Sequence, residues 1–236
     1  MTNQPRKCSI CGELTKMTKE HWPPRSCYNN TPIFKIDLYK KVKLVDGFYE
    51  YTLCRKCNND TGNYYINNGF KDFIHQAMDF MNKEKMTGNE IYSNSYTFKP
   101  LNTLKEIIVG FFSSEKTDLL KNDRELVDFI KNKENQFLPE KYRIFIYYTN
   151  KKGRQNGYST IFDMKSSNHT TILERVFLPF GYVMIIEDDE LNMNINYFEI
   201  SNFKNYKYDY ETTINLDIPF LIPSGVLSGR YENLSF

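Results

Sequence analysis

Four of the five cysteines fall in two Cys-x-x-Cys pairs, Cys8/Cys11 and Cys54/Cys57, about 40 residues apart. The tight turn of such a pair lets both thiolates reach one ion, and two pairs complete the tetrahedral sulfur shell that Zn²⁺ prefers. With all four positions filled by protein, the expected zinc is structural and leaves no place for a reactive water. A redox pair or four unrelated thiols is the competing reading. The fifth, Cys27, reads as an ordinary thiol.

Between the pairs stands Thr18-Lys19-Glu20-His21-Trp22-Pro23-Pro24, and Asn58 follows the last cysteine directly in Cys54-Arg55-Lys56-Cys57-Asn58, with Gly62 shortly after. These residues resemble the HNH endonuclease family, the zinc-bound ββα-metal or treble-clef nucleases, over roughly the first 65 residues. The resemblance implies phosphodiester hydrolysis, with double-stranded DNA the expected substrate and restriction or antiphage defence a fitting setting. It also implies roles. Glu20 and Asn58 would supply oxygens to a catalytic Mg²⁺ or Mn²⁺, and His21, with an ordinary pKa near 6.5, would take the proton from water. Many members carry Asp where Glu20 stands, and a middle Asn where Tyr49 stands, so a backbone carbonyl or another side chain is expected to orient His21. Lys19, Arg25, Arg55 and Lys56 are candidate phosphate contacts, each equally readable as a solvated charge. Trp22 is expected to pack. The runner-up reading is a non-catalytic zinc-finger module that binds nucleic acid or a partner protein.

Positioning such a cluster requires strands and a helix around the zinc. Lys40–Val45 and Phe48–Leu53 flank Asp46-Gly47, a hairpin turn signal, and the second strand would deliver Cys54. A helix is expected from Asn58 to Ile66 with Asn67-Asn68-Gly69 as its stop. Phe70, Phe73, Ile74, Ala77, Met78 and Met81 then recur at helical spacing, placing His75 on the solvated side. Residues 84–98 read as a linker or loop. Beyond it, Leu104–Phe112 and Leu119–Lys131 are helical, and Tyr142–Thr149, Tyr158–Met164, Val176–Ile186, Ile195–Ile200 and Thr212–Ile222 are strand-like. The expected fold class is α+β: an HNH module over 1–83 followed by a larger mixed domain over 99–236. That second region shows no metal or nucleophile cluster, and its expected role is specificity, assembly, or switching by a partner subunit or regulatory ligand. The acidic run 187–190 reads as a solvated turn.

Composition bounds the rest. The 236 residues are 40% hydrophobic and 16% aromatic, too apolar for a disordered chain. The longest apolar run, Val176–Ile186, is broken by Pro179 and Gly181 and falls short of the roughly 20 residues that span a bilayer. No signal peptide is read at the start, so a cytoplasmic location without membrane contact is expected. The net charge of +2 is uneven: residues 1–75 hold 12 Lys/Arg against 7 Asp/Glu, a surplus of 5, which suits a polyanionic partner at the zinc end.

Overall fold

The computed structural model describes residues 5–37, 40–88, 90–114, 119–151, 155–162, 169–187, 197–222 and 228–233. The fold is mixed α+β, as the sequence implies. Two short strands, β1 (Arg6–Lys7) and β2 (Leu14–Thr15), clasp the first cysteine turn. Then come β3 (Ile33–Asp37), β4 (Lys40–Leu44), α1 (Arg55–Thr61), wide π-type turns over Gly62–Phe70 and α2 (Lys71–Glu84). The second half holds β5 (Ile91–Phe98), α3 (Pro100–Ser114), α4 (Arg124–Lys131), β6 (Tyr142–Tyr148), β7 (Gln155–Phe162), β8 (His169–Phe177), β9 (Phe180–Glu187), β10 (Phe198–Glu199), β11 (Thr212–Pro219) and β12 (Ser228–Asn233).

Eight strands form one antiparallel sheet in the order β10-β6-β9-β8-β7-β12-β3-β4, and β5 pairs with β11 as a separate ribbon. The strand β12 pairs with β7 on one side and β3 on the other, so the hairpin of the first third joins the sheet of the second half. One apolar cluster likewise runs from Cys8 to Phe220. Its central member is α3. Leu101, Leu104, Ile107, Ile108, Val109, Phe111 and Phe112 are all buried, which leaves this helix without a solvated stripe. Pro100, with its fixed φ and missing N–H, suits the first helical position. Phe73 of α2 stacks on Phe180 of β9 with centroids 5.1 Å apart, and Trp22 meets Tyr182 edge-on at 5.4 Å.

Four local expectations change. The Asp46-Gly47 turn exists, with Gly47 at φ +82°, but it does not close the expected hairpin. Strand β4 pairs backwards with β3, while the stretch before Cys54 pairs with Met17–Glu20. Asn67-Asn68-Gly69 does not stop the helix, because the chain widens into π turns that α2 continues. Residues 84–98, read as a linker or loop, carry the end of α2 and the whole of β5, whose Tyr96 and Phe98 face the core. The run Val176–Ile186 is two strands joined at Leu178-Pro179. Positions 163–164, 188–190 and 195–196, parts of three expected segments, lie outside the described residues. No helix among the described residues is long and apolar enough to cross a membrane.

Candidate functional site

The first cysteine turn is held on both sides. Gly12 N donates to Cys8 O at 3.0 Å, Cys8 N to Glu13 O at 3.0 Å, and Ser9 N to Thr52 O at 2.9 Å, tying the turn to the chain just before Cys54. The second pair opens α1. Cys54 is its N-cap in extended conformation, and its Sγ accepts from Cys57 N at 3.4 Å. Cys54 N in turn donates to Cys8 Sγ at 3.3 Å. The four sulfurs lie within 4.8 Å of one another, with Cys11 and Cys54 3.8 Å apart. A tetrahedron with Zn–S bonds near 2.3 Å has an edge of about 3.8 Å, so the spacing and the donor chemistry both fit Zn²⁺. This cluster could hold one zinc ion. The hydrogen bond from Cys57, above all, brings Cys8 down to about 4, while burial pushes Cys11 up to about 11 and the pairing with Cys8 pushes Cys57 higher still. A bound dication would draw all four to thiolate. Cys27 stands apart, fully buried, its thiol pushed up to about 12 by burial.

The two cysteine turns bracket a strand–strand–helix unit. Thr18 N donates to Leu53 O, and Glu20 and Glu50 exchange both backbone bonds, each at 2.9 Å. The strand 17–20 therefore lies against 50–54, and α1 follows at once. Asn58 locks helix to strand: its Nδ2 donates to Thr18 Oγ1 at 3.0 Å and to Lys19 O at 3.1 Å. Glu20 is only 5% exposed and its Oε2 accepts from Thr52 Oγ1 at 3.2 Å.

His21 is half-buried. Its Nε2 is buried with no hydrogen-bond partner, and the main-chain carbonyl of Asp46 acts on the ring, partly offsetting the fall in its pKa. Burial first, then the charges of Lys19 and Arg25, lower its pKa and favour the neutral imidazole. Tyr49 lies beside the ring at 5.7 Å and also carries the Lys19 ammonium over its face at 4.0 Å.

Two contributors escaped the sequence reading. Asn29, 2% exposed, donates to Pro23 O and Phe48 O at 2.6 and 2.8 Å and accepts from Phe48 N at 2.6 Å. It clamps the chain after His21 to the turn that presents Asp46. Gly47 passes so close that a Cβ there would meet Asn29 O at 2.3 Å. The second contributor is α3. Trp22, 2% exposed, donates from Nε1 to Glu106 O at 3.4 Å. Its ring fills the space over Gly110, where a Cβ would come within 1.9 Å of it. Glu106 is 1% exposed and its Oε2 has no hydrogen-bond partner. Burial, then the Glu20 carboxylate, pushes its carboxyl well above the usual range. The signal was a charged pair, Lys105-Glu106, inside an otherwise apolar helical run. Lys105 is explained locally: Nζ donates to Asn132 O and Lys133 O at 2.7 and 3.1 Å, just past the end of α4.

Glu20, His21 and Asn58 therefore share one ββα unit, although His21 Nε2 and the Glu20 side chain lie beneath the surface rather than open to solvent. Of the four candidate phosphate contacts, Lys19 pairs with Asp46 Oδ2 at 2.5 Å and Lys56 with Asp60 at 2.5 Å, while Arg25 and Arg55 are exposed. His75 is not a free surface group, because its Nε2 bonds to Ser26 O at 2.7 Å. No protein-family model, curated protein or solved structure matches the chain.

Proposed function

We propose that this protein is a metal-dependent endonuclease of the HNH type, hydrolysing phosphodiester bonds in nucleic acid, with double-stranded DNA as its substrate. The observation that carries the reading is the ββα unit itself. A four-sulfur cluster anchors one strand bearing Glu20-His21 and one helix bearing Asn58. Carboxylate and amide oxygens are the donors that Mg²⁺ or Mn²⁺ accepts, so Glu20 and Asn58 would hold the ion. Bound there, it would neutralise charge on the scissile phosphate.

The remaining work belongs to side chains. Nε2 of His21 would take the proton of the attacking water as its oxygen bonds to phosphorus and the bond from phosphorus to the leaving sugar oxygen breaks, that oxygen taking a proton from solvent water. The lowered pKa keeps that nitrogen unprotonated at neutral pH. Arg25 and Arg55, both exposed, would steady the backbone phosphates. Residues 99–236 would contribute specificity, assembly or switching, in a setting such as restriction or antiphage defence.

A non-catalytic zinc module is the second reading. It is favoured by the sealed Nε2 and by an Asn58 amide already engaged with the strand. Incubation of supercoiled plasmid, single-stranded DNA and RNA with the zinc-loaded protein and Mg²⁺ or Mn²⁺ separates the two. Cleavage lost on chelation and in His21→Ala supports the nuclease. Binding to nucleic acid without cleavage by wild type supports the module.

A further inference from the structure

The cation site proposed above takes one carboxylate from the ββα unit, and a second buried carboxyl, Glu106, stands on the helix packed against that unit. Trp22 holds α3 against the strand by two contacts: its indole N–H on Glu106 O and its ring over Gly110. Residue 106 is thereby fixed beside the chain two residues past Glu20. Both carboxyl groups are beneath the surface, at 5% and 1% exposure, and Glu20 already takes the Thr52 hydroxyl. Glu106 Oε2 takes nothing. After burial, the Glu20 carboxylate, a like charge, is the group among the described residues that pushes the Glu106 carboxyl up. A carboxyl placed without a partner in an apolar helix face costs on the order of kilocalories per mole, and a leucine of similar bulk would avoid that. A divalent cation between the two groups would satisfy both.

We propose that Glu106 of α3 is a ligand of the catalytic divalent cation, joining Glu20 across the contact made by Trp22. The inference rests on the nuclease reading, which assigns Glu20 to that ion. Its consequence is that the second half of the chain completes the metal site, so the first 98 residues carry an incomplete one.

Manganese binding tests this apart from activity. The full-length, zinc-loaded protein is titrated with Mn²⁺ by calorimetry and by the loss of free-ion electron paramagnetic resonance signal, for wild type, Glu20→Gln, Glu106→Gln and Glu106→Asp. Zinc content and melting are followed in parallel. Glu106→Gln keeps shape and removes a buried acid, so it should melt no lower than wild type. Its Mn²⁺ affinity should fall more than about tenfold, the floor for losing even an outer-shell partner of a metal. Glu106→Asp, one methylene short, should also weaken binding. Weakening in Glu20→Gln with wild-type affinity in both Glu106 variants overturns the proposal and leaves the nuclease reading standing. Absence of Mn²⁺ binding by wild type overturns both.

Discussion

Replacing Cys54 with serine tests the zinc frame with an internal control. Cys54 has two roles: its sulfur belongs to the cluster, 3.8 Å from Cys11, and it caps α1 by accepting from Cys57 N. Serine is itself a good N-cap, so Cys54→Ser keeps the cap and loses the ligand, whereas Cys54→Ala loses both. The cap is worth about 1 kcal/mol. Structural zinc contributes about 10–16 kcal/mol of binding free energy in small modules, against a net domain stability of about 5–15 kcal/mol. Losing even a third of the zinc contribution therefore removes about 4 kcal/mol. For a chain of this size each kilocalorie moves the midpoint by roughly 2–4 °C, so Cys54→Ser should melt about 8–16 °C lower and bind less than one equivalent of zinc. Cys54→Ala should lie only a few degrees below Cys54→Ser. The assay is elemental analysis after gel filtration, paired with thermal melts followed by circular dichroism. A Cys54→Ser protein with one full zinc and a wild-type midpoint would refute the shared-ion geometry. A large gap between Ser and Ala would show that the cap, not the metal, carries the stability.

His21→Ala should lower cleavage by roughly 10²–10⁴-fold with zinc content and melting unchanged. Asn58→Ala should differ by also melting lower, by about 1–2 kcal/mol, because two hydrogen bonds to Thr18 and Lys19 are lost; equal melting of the two variants would contradict the pinning role. Gly110→Ala drives a methyl into the Trp22 indole at 1.9 Å and should destabilise by about 1–3 kcal/mol or more, with Trp22→Phe expected to relieve part of it in a double-mutant cycle. Glu174, buried and accepting from Tyr147 at 2.7 Å, has its carboxyl raised by burial. The folded state then holds its proton to higher pH than the unfolded chain, so this group's stabilisation is present below pH 4.5 and is lost as pH rises through the folded value. Glu174→Gln should flatten that part of the stability–pH curve, and an unchanged slope in melts taken across the window would count against it. Residues 1–98 alone should be insoluble or bind zinc without folding cooperatively, since Trp22, Phe70 and Phe73 would lose α3 and β9 as cover; a cooperative melt for this fragment would contradict the shared core.

What the sequence determined by itself was local. A Cys-x-x-Cys turn, a second cysteine pair that can open a helix, and an asparagine directly after it are set within a few residues of each other, so the sulfur cluster was legible before any fold, whereas the strand that lies against 50–54 was not. The helix over 100–114 and four of the strands were legible for the same reason, since periodicity and β-branched runs report backbone preference directly. Partner choice was not. The Asp46-Gly47 turn is real at Gly47, but a turn residue reports its own dihedral angles and not which strands will pair. Here Asn29 and the first cysteine turn take the flanking chain elsewhere. The same limit hid the continuous helix through Asn67-Asn68-Gly69 and the two-strand split at Pro179, both settled by contacts from distant elements. It also hid Glu106. In sequence this residue is one charge on an apolar helix, 86 positions from Glu20. Only the packing of Trp22 over Gly110 brings the helix that bears Glu106 against the strand that bears Glu20, because no local preference encodes which buried face two distant elements will share.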